Sequence, residues 1–233
     1  MIYKRIVILA NSRKHSGRCL AGREIVGQHY APGWIRPISD RPGAEASEYE
    51  RQYQDGSDPK VLDIVDVPLL SAKPTACHTE NWLLSPEHYW IKQGEVTWDH
   101  AHTLSEQPLK LWNSGDSTYN GNNDQIEKTA AAGFTTSIAM ISVASVEIHV
   151  LTPGANFGNP KKRVQARFSY RGIQYWLWVT DPRIERKYLS ADTNIHHLGT
   201  CLLTVSLAEL YEVKPGIFYH YKLVAAIIEK PAA

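Results

Sequence analysis

The sequence predicts a mostly β protein with minor α content, built as two small β-barrels joined by a helical or irregular connector. Three observations predict it. β-Branched and apolar runs recur towards both ends of the chain, and a tryptophan-rich, acidic stretch lies between them. Residues 137–233 hold a series of short strand patterns punctuated by turn residues. The 233 residues suffice for one large domain or two small ones. A composition of 43% hydrophobic and 21% charged residues is that of an ordinary globular protein.

The first barrel is expected over 1–75. Ile2 to Ala10 reads as a buried strand, and Asn11 to Arg18 as a polar loop rich in donors. Cys19 to Gly27 fits a short helix or a second extended piece. Gly33 to Ile38 reads as a short strand that Pro37 assigns to an edge or a bend. Residues 41–60, with turn signals at Pro42-Gly43 and Asp55 to Pro59, read as a surface excursion before a strand at Val61 to Leu70. Residues 76–136 form the connector, whose Trp82, Trp90, Trp98 and Trp112 are expected to dock on the barrels. From Ser137, strands are expected at 138–151, 162–170, 173–180, 200–207 and 217–228. Five strands in this span is the count of an OB-type barrel, so 137–233 is the second such unit. No internal repeat is visible in the sequence.

Residues 163–180 carry the sharpest local reading. Side chains alternate across a strand, so Val164, Ala166, Phe168 and Tyr170 share one face and Arg163, Gln165, Arg167 and Ser169 the other. A two-residue turn at Arg171-Gly172 pairs Tyr170 with Ile173, Phe168 with Tyr175, Ala166 with Leu177 and Val164 with Val179. Every one of those pairs is apolar. The opposite face pairs Ser169 with Gln174, Arg167 with Trp176, Gln165 with Trp178 and Arg163 with Thr180. Such a face can stack bases and neutralise phosphates, or it can be buried against the rest of the protein.

Charge is divided along the chain. Residues 1–41 carry a net +6, residues 42–156 a net −10 and residues 157–190 a net +6, within a total of +1. Two basic segments separated by an acidic one fit an anion-binding face, unless the acidic stretch folds against them and neutralises them. Cys19, Cys77 and Cys201 lie far apart without a CxxC pair, which suits buried thiols in a reducing cytoplasm. Met1 to Ala10 is too short an apolar run for a signal peptide, and no stretch approaches a membrane span. The expected location is therefore cytoplasmic, with no membrane partner.

Several strings resemble a known family. Leu9-Ala10-Asn11-Ser12-Arg13-Lys14, Gly17-Arg18-Cys19-Leu20-Ala21-Gly22 and Trp34-Ile35-Arg36-Pro37-Ile38-Ser39 are similar to segments of the bacterial dual OB-domain proteins. So are Phe157 to Phe168, Leu177 to Pro182 and Lys222 to Ile228, so the resemblance spans nearly the whole chain. It implies two OB-like folds. OB folds are most often binders of single-stranded nucleic acid or other oligomers, an implication of fold rather than of site.

The expected function is thus binding of single-stranded nucleic acid or a nucleotide-like ligand. Ser12, Arg13, Lys14, Arg18 and Arg36 are the phosphate-binding candidates of the first half. Lys161, Lys162, Arg163, Arg167, Trp176 and Trp178 are those of the second. The first set is not a P-loop, because the GxxxxGK[ST] pattern is absent. His100 with His102 and His196 with His197 lack the spacing of a zinc site, so neither a metal nor a cofactor is expected. Asp181 is expected to cap or pair locally. Cys19 beside Arg18 is a candidate activated thiol, but its apolar neighbours favour burial, and no enzyme class emerges. Two alternatives stay open: an enzyme acting on a nucleotide or modified nucleic acid, and a protein-interaction module docking through the tryptophan face.

Overall fold

The computed structural model describes residues 1–232, so Ala233, the last residue of the expected second barrel, lies outside the described residues. The chain divides into two compact units, Met1–Leu104 with Thr135–Ser137, and Ser105–Phe134 with Ile138–Ala233. Among the described residues no helix is long and apolar enough to cross a membrane.

In the first unit, β1 (Ile2–Lys14), β2 (Gly17–Val26) and β3 (His29–Ile38) form an antiparallel meander. A short helix α1 (Glu48–Arg51) follows, then β4 (Asp63–Ala72), β5 (Asn81–Leu84) and β6 (Ile91–Glu95). The order is β1-β2-β3-β5-β4, and β4 returns to β1, closing a barrel with one parallel contact, β3 to β5. That circuit is the five-stranded OB barrel. Ile6, Ile8, Leu20, Ile35, Val65 and Val67 fill it, with Tyr53 and Trp90 in the same cluster.

Three local expectations change here. Asn11 to Arg18 is a hairpin rather than a loop: β1 runs to Lys14, which pairs with Gly17 across the turn at His15 and Ser16. Pro37 is not on a free edge, since β3 lies between β2 and β5. The backbone N–H of Arg36 donates to Glu80, so the nitrogen of Pro37 faces the opposite side, beyond the last β2 pair at Ile35. The missing donor therefore costs no ladder bond. Residues 41–60 are not wholly a surface excursion. Ser47 and Glu50 make a reciprocal capping box on α1, and the indole of Trp90 donates to the Glu50 carbonyl at 3.0 Å.

In the second unit, β7 (Gln125–Glu127) and α3 (Lys128–Ala131) precede β8 (Ile138–Val143) and β9 (Val146–Leu151). Then come β10 (Arg163–Tyr170), β11 (Ile173–Val179), α4 (Pro182–Leu189), β12 (Ile195–Leu198), β13 (Cys201–Leu207), β14 (Tyr211–Lys214) and β15 (Ile217–Glu229). The expected strand at 138–151 is one path broken at Ala144 and Ser145. Its first half, β8, pairs with β13, and its second, β9, pairs with β10. The circuit β8/β9-β10-β11-β15-β13-β8 repeats that of the first barrel, including the parallel contact, here β11 to β15. A helix also follows the third strand in both units.

Asp181 starts that helix. Its carboxylate accepts from the backbone of Arg183 and Ile184 and reaches Ile227 on β15, and burial pushes its carboxyl up. An N-cap of this kind is worth roughly 0.5–2 kcal/mol. The expected connector, 76–136, is not a separate body. β5 and β6 lie inside it yet belong to the first sheet, while 105–134 packs with the second unit. Its tryptophans do dock: Trp90 is in the first core, Trp82 packs against that core, and Trp112 packs against the second.

Candidate functional site

The register of β10 and β11 sets the site. The turn at Arg171 and Gly172 has positive φ at both residues (48° and 78°), the conformation of a tight I′ hairpin. The pairs from Tyr170–Ile173 to Gln165–Trp178 follow from it. Val164, Ala166, Phe168, Tyr175 and Leu177 face the core. The alternate residues stand on the outer face in cross-strand rows. One row runs Trp176, Arg167, Glu147, His197, and the next Trp178, Gln165, His149, Ile195.

Two stacked pairs define this face. The guanidinium of Arg167 lies 4.2 Å from the ring centre of Trp176, and that of Arg163 lies 4.2 Å from the ring of Trp178. Such stacks contribute about 0.5–1 kcal/mol when exposed and about 2 when desolvated. They also fix where each cation sits on the face. Arg167 donates through Nε to Oε1 of Gln165 (2.9 Å). Glu147 accepts from His149, which holds its carboxyl below the ordinary range, with His197 and Arg167 adding to the effect.

The face is more open at Trp176 than at Trp178. Trp176 is 36% exposed and Trp178 only 9%. The cover over the middle is the segment 113–124. Asn122 pairs with Trp176 through both backbone bonds, Gln165 Nε2 donates to the Asn120 carbonyl (2.6 Å), and Asn122 and Asn123 side chains donate to the Gln174 carbonyl. Lys222 fastens the same segment. Its buried ammonium donates to the carbonyls of Asn113 (2.5 Å) and Asn123 (2.8 Å), and burial pushes its pKa down to about 8.

Beside the covered middle lies a pocket of about 340 Å³. Arg163 and Trp178 form one side, Tyr221 comes from β15, and Tyr119 from the covering segment. Pro153 comes from the loop between β9 and β10, and Ala208 from the connection between β13 and β15. These are the two loops that, with the faces of the second and third strands, form the ligand site of OB barrels. Tyr221 also contacts Tyr211 on β14, with ring centres 6.0 Å apart, so aromatic surface runs from the pocket onto the β14–β15 hairpin.

The first barrel presents the same row differently. Val7, Arg23 and Trp34 align across β1, β2 and β3, and the guanidinium of Arg23 lies 5.8 Å from the Trp34 ring. Val7 is buried and Trp34 is 6% exposed. Helix α2 (Trp98–Thr103) is tied to β3 through Tyr30 and His100, whose oxygen and nitrogen are 2.7 Å apart.

The candidate residues therefore fall into two groups. Ser12, Arg13, Lys14, Arg18 and Arg36 belong to the first unit and Lys161, Lys162, Arg163, Arg167, Trp176 and Trp178 to the second. Ser12 is buried, Arg13 exposed, and Lys14 and Arg18 half-buried. Arg36 is buried in an ion pair with Glu80 (2.8 Å) and also donates to Ser137 Oγ (2.9 Å), so its charge is committed inside the unit. Lys161 and Lys162 are exposed and lead straight into Arg163. Sequence reasoning missed Tyr119, Tyr221 and Pro153. Tyr221 sits within the expected strand 217–228, where alternation could have placed it opposite the core. Tyr119 carries no sequence signal beyond its Gly/Asn-rich surroundings. Of the histidine pairs, His102 stacks on Trp98 and His196 packs against Tyr188. Cys77 and Cys201 are buried, with Cys201 pushed up to about 12 by burial, whereas Cys19 is half-buried.

Compared with known proteins, residues 4–227 match the model of the dual OB-containing domain, and the chain belongs to that family. No curated protein and no solved structure matches it.

Proposed function

We propose that this dual OB protein binds single-stranded nucleic acid or a nucleotide through the outer face of its second barrel. The observation that carries the reading is one of position. The two guanidinium–indole stacks and the pocket all lie on the second and third strands between the loops that OB barrels use for ligands. Indoles and guanidinium planes stack bases without regard to sequence, and Lys161, Lys162, Arg163 and Arg167 supply charge for phosphates.

Fluorescence anisotropy with labelled single-stranded DNA, single-stranded RNA and duplex, each over a salt series, tests it. Single strands are expected to bind more tightly than duplex, with affinity falling as salt rises. Replacing Arg163 and Arg167 together by Ala is expected to weaken binding and to flatten the log–log salt slope by about 1 per lost phosphate contact. Unchanged affinity and slope in that double variant would remove this face from the site. Absence of binding at low salt would remove the strand-binding reading and leave a small-ligand pocket or a protein dock.

A second reading is favoured by a separate feature. The β14–β15 hairpin exposes Leu210, Tyr211, Val213 and Ile217, an apolar arm suited to a protein partner. Association that persists without nucleic acid and is lost in Tyr211→Ser would favour it.

A further inference from the structure

An extended strand needs a groove, whereas the space beside Trp178 is a pocket. At about 340 Å³ it lies at the low end of the roughly 300–1,000 Å³ of small-ligand sites. It has room for one nucleoside and not for a run of stacked bases. Its lining combines flat surfaces with a single cation. The cation is Arg163, whose guanidinium lies over the Trp178 indole, 4.2 Å from the ring centre. Bases stack on such guanidinium planes as well as on aromatic rings. Tyr221 and Pro153 add apolar walls, and Asn120 contributes an amide with both donor and acceptor capacity for a base edge.

Tyr119 is the least explained residue of the lining. It is 98% exposed, on the segment whose neighbour Asn120 is pinned by Gln165. A tyrosine ring left wholly in water at the rim of an aromatic pocket, on an anchored backbone, is placed to gain contact area only when something enters. Outside the pocket, Lys161 and Lys162 stand exposed on the loop that also supplies Pro153. Charge thus stands on the exposed loop that leads into Arg163, and stacking surface lines the pocket, an arrangement that fits a nucleotide with its phosphate outward and its base inward.

We propose that this pocket is a mononucleotide site, taking one nucleoside monophosphate unit with its base against Arg163 and Trp178, Tyr119 closing over it, and its phosphate towards Lys161 and Lys162. The inference rests on the nucleic-acid reading above and narrows it. A free nucleotide and a single nucleotide splayed out of a strand offer the same chemistry.

Calorimetric titration of the full chain with AMP, GMP, CMP, UMP, inorganic phosphate and a 15-nucleotide oligouridylate separates the outcomes. Saturable binding of at least one monophosphate at one site per chain is expected. Tyr119→Ala, a change at a side chain without packing to lose, is expected to weaken that binding about tenfold or more, while Tyr49→Ala, an exposed ring of the first unit, leaves it within about twofold. Competition of the monophosphate by the oligomer would identify a splayed nucleotide as the natural occupant, and its absence a free one. Binding of the oligomer with no monophosphate binding would overturn the pocket site and leave the strand-binding face standing. Equal affinity for inorganic phosphate and the nucleotides would reduce the site to an anion contact. Failure of every nucleotide and of the oligomer would remove both readings together.

Discussion

In the first barrel Arg23 on the second strand lies across from Trp34 on the third; in the second barrel Arg167 lies across from Trp176 in the same position of the same circuit. Trp34 is 6% exposed and shares its row with buried Val7, while Trp176 is 36% exposed and shares its row with Glu147 and His197. An arginine opposite an indole therefore serves as packing in one unit and as available surface in the other. The pair itself does not decide which. What decides it is the rest of the row and whatever else of the chain lies over it, and both are set by residues remote in sequence.

The largest test of that contrast is the pair Trp34→Ala and Trp176→Ala, compared by chemical denaturation. Truncating the buried indole is expected to cost about 3–5 kcal/mol. Truncating the exposed one should cost about 1 kcal/mol, mainly the stack with Arg167, while weakening oligonucleotide binding. Equal losses of stability would erase the distinction between the two faces.

Arg36 sharpens the same comparison from the side of charge. Its pair with Glu80 is buried, and removing one partner of such a pair costs roughly 3–5 kcal/mol because the other charge is left without compensation. Arg36→Met should therefore lower the melting temperature, with oligonucleotide affinity of the folded protein unchanged. Intact stability with weakened binding would make Arg36 part of the interface.

Lys222 tests whether the second barrel's cover is fastened as described. Its folded pKa lies near 8, below the ordinary lysine value of about 10.4. Between those values the unfolded chain holds the proton and the folded chain has released it. Stability from this group therefore rises with pH across that window, and below it the buried charge is a constant cost. The buried thiols Cys77 and Cys201, both pushed up, act in the opposite sense once unfolded thiols ionise. The informative quantity is the difference between the wild type and Lys222→Met. Across pH 7 to 10 the wild type should gain stability relative to the variant. At pH 7 the variant also leaves the Asn113 and Asn123 carbonyls without their donor, at a cost of about 1–3 kcal/mol. Parallel pH profiles would show that Lys222 titrates normally.

The smallest expected effects separate the helix caps that follow each third strand. Asp181 accepts from three backbone donors and caps the eight-residue α4, whereas Ser47 caps the four-residue α1. Asp181→Ala is expected to cost about 2 kcal/mol and Ser47→Ala about 0.5–1. Thermal melts that rank them the other way would place more of the fold's stability in α1 than its length suggests.

How far the sequence could be read follows the range of the interactions. The turn at Arg171-Gly172 fixed the register of six residue pairs, because a two-residue hairpin leaves the backbone no other pairing. Burial of alternate residues then followed from the pleat. β5 and β6 fall in the stretch whose sequence suggests helical or irregular structure, because they are only four and five residues long; β5 pairs with the preceding β4 but also with β3 far back in the chain, and β6 reaches past β5 to β4. Nothing local marks them. The same limit applies to the site: Arg163, Arg167, Trp176 and Trp178 share a hairpin and were legible, whereas Tyr119 reaches the pocket only because Gln165 and Lys222 anchor its segment.

By itself, then, the sequence determined the β-rich class, the strands of the second barrel and the arginine–indole face, each through periodicity or a tight turn. Only the tertiary structure decided that the two units follow one circuit, that the first unit's arginine–tryptophan pair is packed and the second's partly open, and that Arg36 is committed to Glu80. The physical reason is that alternation assigns a side chain to a face. Whether that face meets water, a ligand or the rest of the chain depends on contacts that no local pattern encodes.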